Sequence, residues 1–256
     1  MVYFFNAKPS VSSASFLLFL CLQTVFPAFA DVRTIAVEDK DYAPYYVWTD
    51  GKPTGPCIDI VSGTFALMGD TVEYRRFPWS RVLRSVEEQK VDAGLCGTRS
   101  EERAAYSHYP SEHLLIYDAT LFVRADSDLQ TSASDRLVGR SFGIVTGYSF
   151  GDIEQDLEKE GMIRLEATSR ESLWNQLLIG RIDTALDSIL PMVDDTTRMG
   201  RRDEIRALQP SLAETPGYLF FSRKPGNDVL AQDFSRALKT FKSRPEYLEL
   251  KSRYGL

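Results

Sequence analysis

The sequence contains few of the residues from which enzymes most often build a reactive centre. Only two histidines are present, His108 and His113, and their spacing, with Glu112 between them, is not a usual pattern for zinc. The glycine-rich phosphate-binding motif of the P-loop type is also missing. We therefore expect no metal, no cofactor and no enzymatic activity.

Long apolar runs are equally scarce. One, FLLFLCL at 16–22, follows the positive charge of Lys8 and precedes the small residues of AFA at 28–30. That order is typical of a secretory signal peptide, and the run is too short to span a bilayer. We predict that residues 1–30 are a signal peptide and that the mature protein is periplasmic. Lipid attachment at Cys21 and an uncleaved anchor are the alternatives.

Positive charge is not in excess. The formal net charge is −6, and loss of Lys8 with the predicted signal peptide makes the mature chain more acidic. Binding to nucleic acid depends on clustered Lys and Arg, so we expect no nucleic-acid partner. A composition of 43% hydrophobic and 26% charged residues is typical of a globular protein. We expect a monomer with one large domain or two small ones.

Cysteine is rare, and the mature chain keeps two of the three cysteines, Cys57 and Cys96. An oxidising compartment permits a disulfide between them. It requires Cα atoms roughly 4.4–6.8 Å apart, which the sequence does not show. Two free, buried thiols are the alternative.

Short apolar strands alternate with amphipathic helical stretches along the mature chain. This alternation predicts βαβ units and mostly parallel strands. The segments 82–95 and 173–186 share one pattern, a helix followed by apolar-Asp-small-small-Leu, which favours two similar α/β halves over one long sheet. Strands are predicted at 33–39, 71–77, 91–97, 141–147, 163–167 and 183–187, and helices at 57–69, 79–89, 149–161 and 170–180.

The joins between the two halves are extended and apolar. They lie at 119–125 and 217–223, and two such strands would form a hinge between lobes. The tail at 230–256 is predicted to be helical apart from Pro245 and to pack on the first lobe. The predicted lobes are lobe 1, at 31–120 plus 222–256, and lobe 2, at 121–221.

Six segments of the mature chain, taken in order, carry a resemblance to a known family. They lie at 41–60, 77–107, 121–127, 137–149, 180–188 and 246–255. In their order and spacing they resemble the extracellular solute-binding proteins of polar amino-acid ABC transporters, the family 3 type. The resemblance implies a periplasmic-binding-protein-like fold, in which two α/β lobes joined by two hinge strands close around a small ligand.

Arg103 is the leading candidate for binding a ligand carboxylate. Ser100 is expected to cap a short helix whose third residue is Arg103, and helical side chains lean toward the N-terminus. An arginine beside a helix start suits a carboxylate, although a surface arginine paired with Glu101 is the alternative from chemistry alone. The resemblance implies that Arg103 binds the ligand's α-carboxylate, with Ser100, Gly97 and Thr98 as neighbours in the site.

Asp187 is the candidate for the opposite pole of the ligand. It ends the predicted strand 183–187, and the resemblance implies that it receives a ligand amino group. The alternative is that it caps the helix after Ser188. Arg99 follows the strand predicted at 91–97, one residue before the expected cap, at the edge where open α/β sheets bind ligands. It either contacts the ligand or covers the rim of the pocket.

Aromatic side chains are expected to form the walls of the pocket, although such clusters are often simply core. Tyr42 and Tyr46 follow the first strand and Trp79 follows the second. The resemblance implies that one of the tyrosines stacks on the ligand. In the second lobe, Gly147 and Tyr148 stand where the family commonly has Gly-Thr, so tyrosine replaces the threonine, and Ser149 follows it. That departure leaves open whether an ordinary α-amino acid fits.

Together these features predict a binding protein rather than a catalyst. A small carboxylate-bearing solute, a polar amino acid or a derivative, would be captured by hinge closure and passed to the membrane permease of an ABC transporter. Two alternatives use the same fold: an exported dehydratase of prephenate-like acids, and a sensor that presents its ligand to a membrane receptor.

Overall fold

The computed structural model describes residues 1–3, 30–133 and 135–255 of the 256-residue chain. The apolar run 16–22 and Cys21, on which the signal-peptide and lipid-attachment predictions depend, lie outside these residues. Within them, no helix has the length and apolar character that a membrane span requires.

Strands and helices alternate as the sequence pattern predicts. The strands are β1 (Val32–Glu38), β2 (Val47–Thr49), β3 (Lys52–Thr54), β4 (Thr71–Phe77), β5 (Ala93–Thr98), β6 (Ser107–His108), β7 (Leu115–Arg124), β8 (Ser141–Val145), β9 (Ile163–Ala167), β10 (Thr184–Ser188), β11 (Ile205–Ala207) and β12 (Ala213–Ser222). The α-helices are α1 (Pro56–Met68), α2 (Trp79–Glu87), α3 (Glu101–Tyr106), α4 (Ile153–Lys159), α5 (Arg170–Leu178), α6 (Ile189–Arg198), α7 (Asn227–Lys242) and α8 (Pro245–Tyr254).

One sheet runs through both lobes, in the strand order β4-β1-β5-β12-β7-β10-β8-β9. The pairs at its two ends, β1 with β4 and β5 and β8 with β9 and β10, are parallel, and the central pairs are antiparallel. Parallel strands need crossover connections, and helices supply them in each half. The two-lobed α/β architecture predicted from the sequence is therefore confirmed, although the two halves share one continuous sheet instead of having a sheet each.

The repeated sequence pattern corresponds to one structural unit in each half. Helix α2 leads to β5 and helix α5 leads to β10. The aspartate before each strand accepts a main-chain N–H from the neighbouring parallel strand, Asp92 from Thr34 at 2.8 Å and Asp183 from Ser141 at 2.8 Å. Buried main-chain N–H groups need such acceptors, so the recurring Asp marks where each strand joins the sheet.

Strands β7 and β12 connect the two lobes at the centre of the sheet. They pair with each other from Leu115 opposite Gly217 to Ala119 opposite Ala213. Beyond this ladder β7 pairs with β10 in lobe 2 and β12 pairs with β5 in lobe 1. Both are longer than the predicted joins, because the pairing begins before the apolar segments at 119–125 and 217–223.

The C-terminal tail packs against helix α1. Phe65 of α1 and Phe234 of α7 are fully buried, and their ring centroids lie 5.0 Å apart. Pro245 begins α8 rather than interrupting a helix. Proline suits a first helical position because the N–H that it lacks would be unpaired there.

A disulfide joins Cys57 to Cys96, whose Cα atoms lie 6.8 Å apart. Pairing, rather than two free thiols, is therefore the outcome. Cys57 lies in the first turn of α1 and Cys96 lies on β5. The bond ties the N-terminus of α1 to the strand that leads to Arg103.

The helix predicted at 149–161 begins later, at Ile153. The main-chain N–H of Phe150 donates to Oε1 of Glu154 at 3.0 Å, and Gly151 has φ of 80°. A positive φ is incompatible with a right-handed helix. Residues 149–151 therefore lie outside the helix, and Ser149 and Phe150 border the cleft between the lobes.

Candidate ligand site

A small cavity lies between the lobes, beside the ends of β1 and β5 and the turn after β8. Its volume is about 40 Å³. Pockets for drug-sized ligands measure roughly 300–1,000 Å³, so this space is too small for such a ligand while the two lobes are in contact. Lobe 2 contributes Tyr148, Ser149 and Phe150 to the lining, and the rest of the lining consists of Glu38, Tyr42, Tyr46, Trp79, Cys96, Gly97, Thr98, Arg103 and Tyr117.

Arg103 is buried, with 4% of its surface exposed, and its guanidinium reaches across the cleft. Nη1 donates to the carbonyl and the hydroxyl of Thr98, at 2.8 and 3.0 Å. Nη2 donates to the carbonyl of Gly147 in lobe 2, at 2.5 Å. The guanidinium also lies over the ring of Trp79, 5.3 Å from its centroid, where the aromatic face attracts a cation.

Ser100 caps α3 as predicted, because its hydroxyl accepts the main-chain N–H of Arg103 at 3.3 Å. The guanidinium lies on the N-terminal side of α3, where it donates to Thr98, just before the cap, and to Gly147 of lobe 2. The N–H groups of a first turn are donors, whereas a buried cation needs acceptors. The carbonyls of Thr98 and Gly147 provide them, and so the side chain turns toward the cleft.

Two further hydrogen bonds join the lobes beside Arg103. Trp79 Nε1 donates to the carbonyl of Gly147 at 2.8 Å, and the hydroxyl of Thr98 donates to the carbonyl of Ser149. Gly147 has φ of 79°, a conformation that favours glycine. Carbonyls from the turn after β8 are thus held directly against lobe 1.

Glu38 ends β1 and lines the cavity. Its Oε2 accepts from the hydroxyls of Tyr148 at 2.9 Å and Tyr46 at 3.2 Å. Its Oε1 has no hydrogen-bond partner among the described residues. Burial raises the pKa of Glu38 to about 7, although the hydroxyl of Tyr148 and the charge of Arg170 oppose that rise. Glu38 is a half-buried acid whose direct hydrogen-bond partners are two neutral hydroxyls, while the charge of Arg170 acts on it without a direct contact.

Asp187 is fully buried and already paired. Its Oδ2 accepts from Nε of Arg170 at 3.1 Å, and its Oδ1 accepts the main-chain N–H of Ser188 at 2.7 Å. Nη2 of the same arginine lies 2.7 Å from a carboxylate oxygen of Asp195. Asp187 is absent from the cavity lining and both of its oxygens accept hydrogen bonds, so its contact with a ligand amino group stays a prediction.

The positive charge of Arg170 is the main partner of the Asp187 carboxylate. Burial alone lowers the pKa of Arg170, but the charges of Asp187 and Asp195 outweigh burial and raise it above its ordinary value. The guanidinium lies over the ring of Tyr42, 4.8 Å from its centroid. Tyr42 also shares a hydrogen bond with Ser188, at 3.1 Å, which adds another contact between the lobes.

Most of the predicted site residues meet at the cavity. Ser100 and Asp187 do not line it, and Arg99 is exposed on a different surface, beside His108. The predicted residues that the structure brings together are Arg103, Tyr42, Tyr46, Trp79, Gly97, Thr98, Tyr148 and Ser149.

Four lining residues were not predicted: Glu38, Cys96, Tyr117 and Phe150. The sequence does contain an indication that Glu38 lines the site, since Glu38 ends a strand directly before an aromatic loop, at the sheet edge where ligands bind. Tyr117 lies on the hinge strand β7, and its buried hydroxyl has no hydrogen-bond partner among the described residues. Its place in the site follows from the strand pairing, which the sequence pattern does not specify.

The turn after β8 also matches a hydrolase pattern. Residues 147–151 read Gly-x-Ser-x-Gly between a strand and a helix, the context of a serine nucleophile. Ser149 Oγ accepts the main-chain N–H of Gly151 at 3.3 Å, and neither histidine lines the cavity. The described residues therefore place no imidazole beside this serine. Nor do they group three or more potential metal ligands.

Comparison with known proteins agrees with this architecture. Over residues 34–256 the chain matches the family described as bacterial extracellular solute-binding proteins, family 3. The chain belongs to this family. The resemblance carried by the six sequence segments is thereby confirmed, and the extracellular character of the family agrees with the export predicted from residues 1–30.

Individual relatives are distant. An arginine-binding periplasmic protein of Mannheimia haemolytica is 21% identical over 239 residues, which covers 91% of this chain and 94% of that protein. The structure of an ancestral arginine-binding protein bound to arginine has a TM-score of 0.71 at 16% identity and covers 87% of this chain and 97% of its own. A histidine kinase sensor domain with similarity to periplasmic binding proteins has a TM-score of 0.72 at 22% identity, with coverages of 87% and 95%. At these identities the structural likeness establishes the fold.

Proposed function

We propose that this protein captures a small carboxylate-bearing solute, a polar amino acid or a derivative, by closure of its two lobes. Arg103 carries the proposal, because its buried guanidinium faces the cavity and binds a carbonyl of the opposite lobe. A carboxylate is a stronger partner for a guanidinium than a neutral carbonyl is. A ligand carboxylate would therefore replace the carbonyl of Gly147 when the lobes open and close again around it.

The captured solute is then delivered to the membrane permease of an ABC transporter in the periplasm. Family membership, the similarity to a periplasmic arginine-binding protein and the signal peptide predicted at residues 1–30 support this role. Delivery requires release of an unchanged ligand, so the role is not enzymatic. Incubation with prephenate-like acids is expected to leave them unchanged, and measurable turnover would favour the dehydratase alternative.

Calorimetric titration of the ligand-stripped mature protein tests the binding proposal. We expect at least one member of a panel of amino acids and dicarboxylates to bind. Arg103→Ala is expected to weaken that binding by roughly 100-fold, because it removes charge-assisted hydrogen bonds to the carboxylate. Arg99→Ala is the matched control, since Arg99 is exposed outside the cavity, and its affinity should stay that of the wild type.

Folding of the variant must be separated from binding, because Arg103 is buried. Circular dichroism and thermal unfolding of each variant provide that control. Arg103→Lys keeps the charge but loses the forked geometry, so it should bind with intermediate affinity. Wild-type affinity in a folded Arg103→Ala protein would refute the role assigned to Arg103.

A further inference from the structure

The cavity lining contains one charged group of each sign, Arg103 and Glu38. The other lining residues are aromatic, hydroxyl-bearing, small or sulfur-containing. A ligand with a carboxylate and a protonated nitrogen needs an anion site and a cation site in one pocket. Arg103 supplies the first, under the function proposed above, and the second is to be found among the acids near the cleft.

Asp187 does not serve as the cation site. Its two carboxylate oxygens bind Arg170 and the main-chain N–H of Ser188, and it lies outside the lining. To take a ligand cation, Asp187 would have to release a buried guanidinium. Removing one partner from a buried ion pair leaves an uncompensated charge, which is strongly unfavourable.

Glu38 has the features that Asp187 lacks. It faces the cavity, and no cation lies within ion-pair distance of its carboxylate among the described residues. The hydroxyls of Tyr46 and Tyr148 both donate to Oε2, so Oε1 is available for a further donor. The rings of Tyr42, Tyr46 and Tyr148 border the same space, and aromatic faces attract cations.

We propose that Glu38 receives the protonated nitrogen of the carboxylate-bearing ligand, and that Asp187 holds Arg170 without touching the ligand. This assignment rests on the proposed function, and it makes zwitterionic or cationic amino acids the ligand class in preference to dicarboxylates. Tyr148 then acts as a positioning residue. Its hydroxyl binds Oε2 and orients the carboxylate, which leaves Oε1 for the ligand.

The test uses Glu38→Gln and Asp187→Asn in the mature protein, titrated with L-arginine, L-citrulline, L-glutamine and succinate. Glutamine keeps the shape of Glu38 and an acceptor for the tyrosines, but it removes the charge. We expect Glu38→Gln to weaken binding of at least one amino acid by 30-fold or more, roughly the effect of losing one charge-assisted hydrogen bond. Asp187→Asn should change the same affinity by less than about threefold, because the direct contact is absent.

The matched pair of L-arginine and L-citrulline identifies the nitrogen. L-citrulline lacks the side-chain cation but keeps the α-ammonium group. A loss confined to L-arginine assigns Glu38 to the side-chain cation, and an equal loss for both ligands assigns it to the α-ammonium group. Either result supports the proposal.

Three results would overturn it. Amino-acid affinities that Glu38→Gln leaves within threefold of wild type refute the role of Glu38, while the proposed function stands. If succinate binds and no amino acid does, the role of Glu38 is likewise refuted, while the proposed function stands. Binding of no panel member removes the proposed function and this assignment with it. If Asp187→Asn does not fold, Glu38→Gln decides alone, with its own folding checked by thermal unfolding.

Discussion

The charged side chains of Arg103, Asp187 and Glu38 have different kinds of partner. The partner determines whether each side chain is available to bind a ligand. Arg103 is held by carbonyls that a carboxylate can replace. Asp187 is held by a full positive charge. Glu38 is held by hydroxyls, which leave its charge only partly compensated and its pKa raised to about 7. Glu38 and Asp187 are both acidic residues in the sequence, but their carboxylates therefore differ in how readily they can bind a further partner.

Glu38→Gln should stabilise the protein at pH 8 and have little effect near pH 4.5. Burial raises the pKa of Glu38 from 4.5 to about 7, with Tyr148, Arg170 and Tyr46 opposing and Asp39 adding to the rise. The folded protein thus binds more protons than the unfolded chain between those values, and wild-type stability falls as pH rises through that window. The gain for Glu38→Gln at pH 8 is about 3 kcal/mol.

Urea unfolding at pH 5 and pH 8 measures this difference. Glu246→Gln, on the exposed surface of α8, is the control and should track the wild type at both pH values. A Glu38→Gln stability difference that is equal at the two pH values would contradict the burial argument.

At the scale of elements, the site lies at the ends of strands β1 and β5. Helices α1 and α2 and the turn after β8 hold these strand ends in place. The disulfide is part of this framework, since Cys57 lies in α1 and Cys96 lines the cavity. Strand β5 therefore has a covalent tie directly beside the residues that bind across the cleft.

Loss of the disulfide should destabilise the mature protein by about 4 kcal/mol, the chain-entropy value for a closed loop of this size. The cysteines are 39 positions apart. Urea unfolding of Cys57→Ala/Cys96→Ala against the oxidised wild type measures the change. Wild-type protein in reductant is the matched comparison, and the two should agree. A difference below about 1 kcal/mol would show that the bond contributes little to folding.

The sequence predicts elements well and side-chain pairing poorly. The Asp of each repeated unit, the cap at Ser100 and the return of the tail follow local patterns, and local patterns survive in the structure. The pairing of Asp187 with Arg170 joins residues 17 positions apart in sequence, and the bond from Tyr148 to Glu38 joins residues 110 apart. No periodicity encodes such contacts, because they depend on how strands and lobes are arranged in space.

For the whole molecule, the important feature is that the two lobes bind each other directly. The hydroxyl of Tyr148 to Glu38, Arg103 and Trp79 to the carbonyl of Gly147, and the other contacts around the cavity all cross the cleft. They leave a space of only about 40 Å³. Under the proposed function, opening about β7 and β12 breaks these contacts before a ligand enters.

Tyr148→Phe should shift the protein toward open conformations, because it removes one hydrogen bond across the cleft to a carboxylate. A bond of this kind contributes about 1–3 kcal/mol, so the open-to-closed ratio should rise roughly tenfold. Small-angle X-ray scattering of ligand-stripped protein measures the radius of gyration. Tyr254→Phe is the control, because its hydroxyl binds Asp59 within lobe 1 at 2.9 Å. Equal radii of gyration for Tyr148→Phe and Tyr254→Phe would refute the role of the Tyr148 hydroxyl in holding the lobes together.

The carbonyl of Gly147 on Arg103 has a consequence for selectivity. Under the proposed function, an incoming solute must displace this carbonyl, so its binding free energy at Arg103 is set relative to a main-chain acceptor rather than to water. A neutral solute that offers only an amide oxygen exchanges one neutral acceptor for another and gains little binding free energy. An anion binds the Arg103 guanidinium more strongly than the carbonyl does, because it carries a full negative charge. Discrimination at this position therefore arises from exchange between two acceptors, and it would operate even on solutes of the same size and shape.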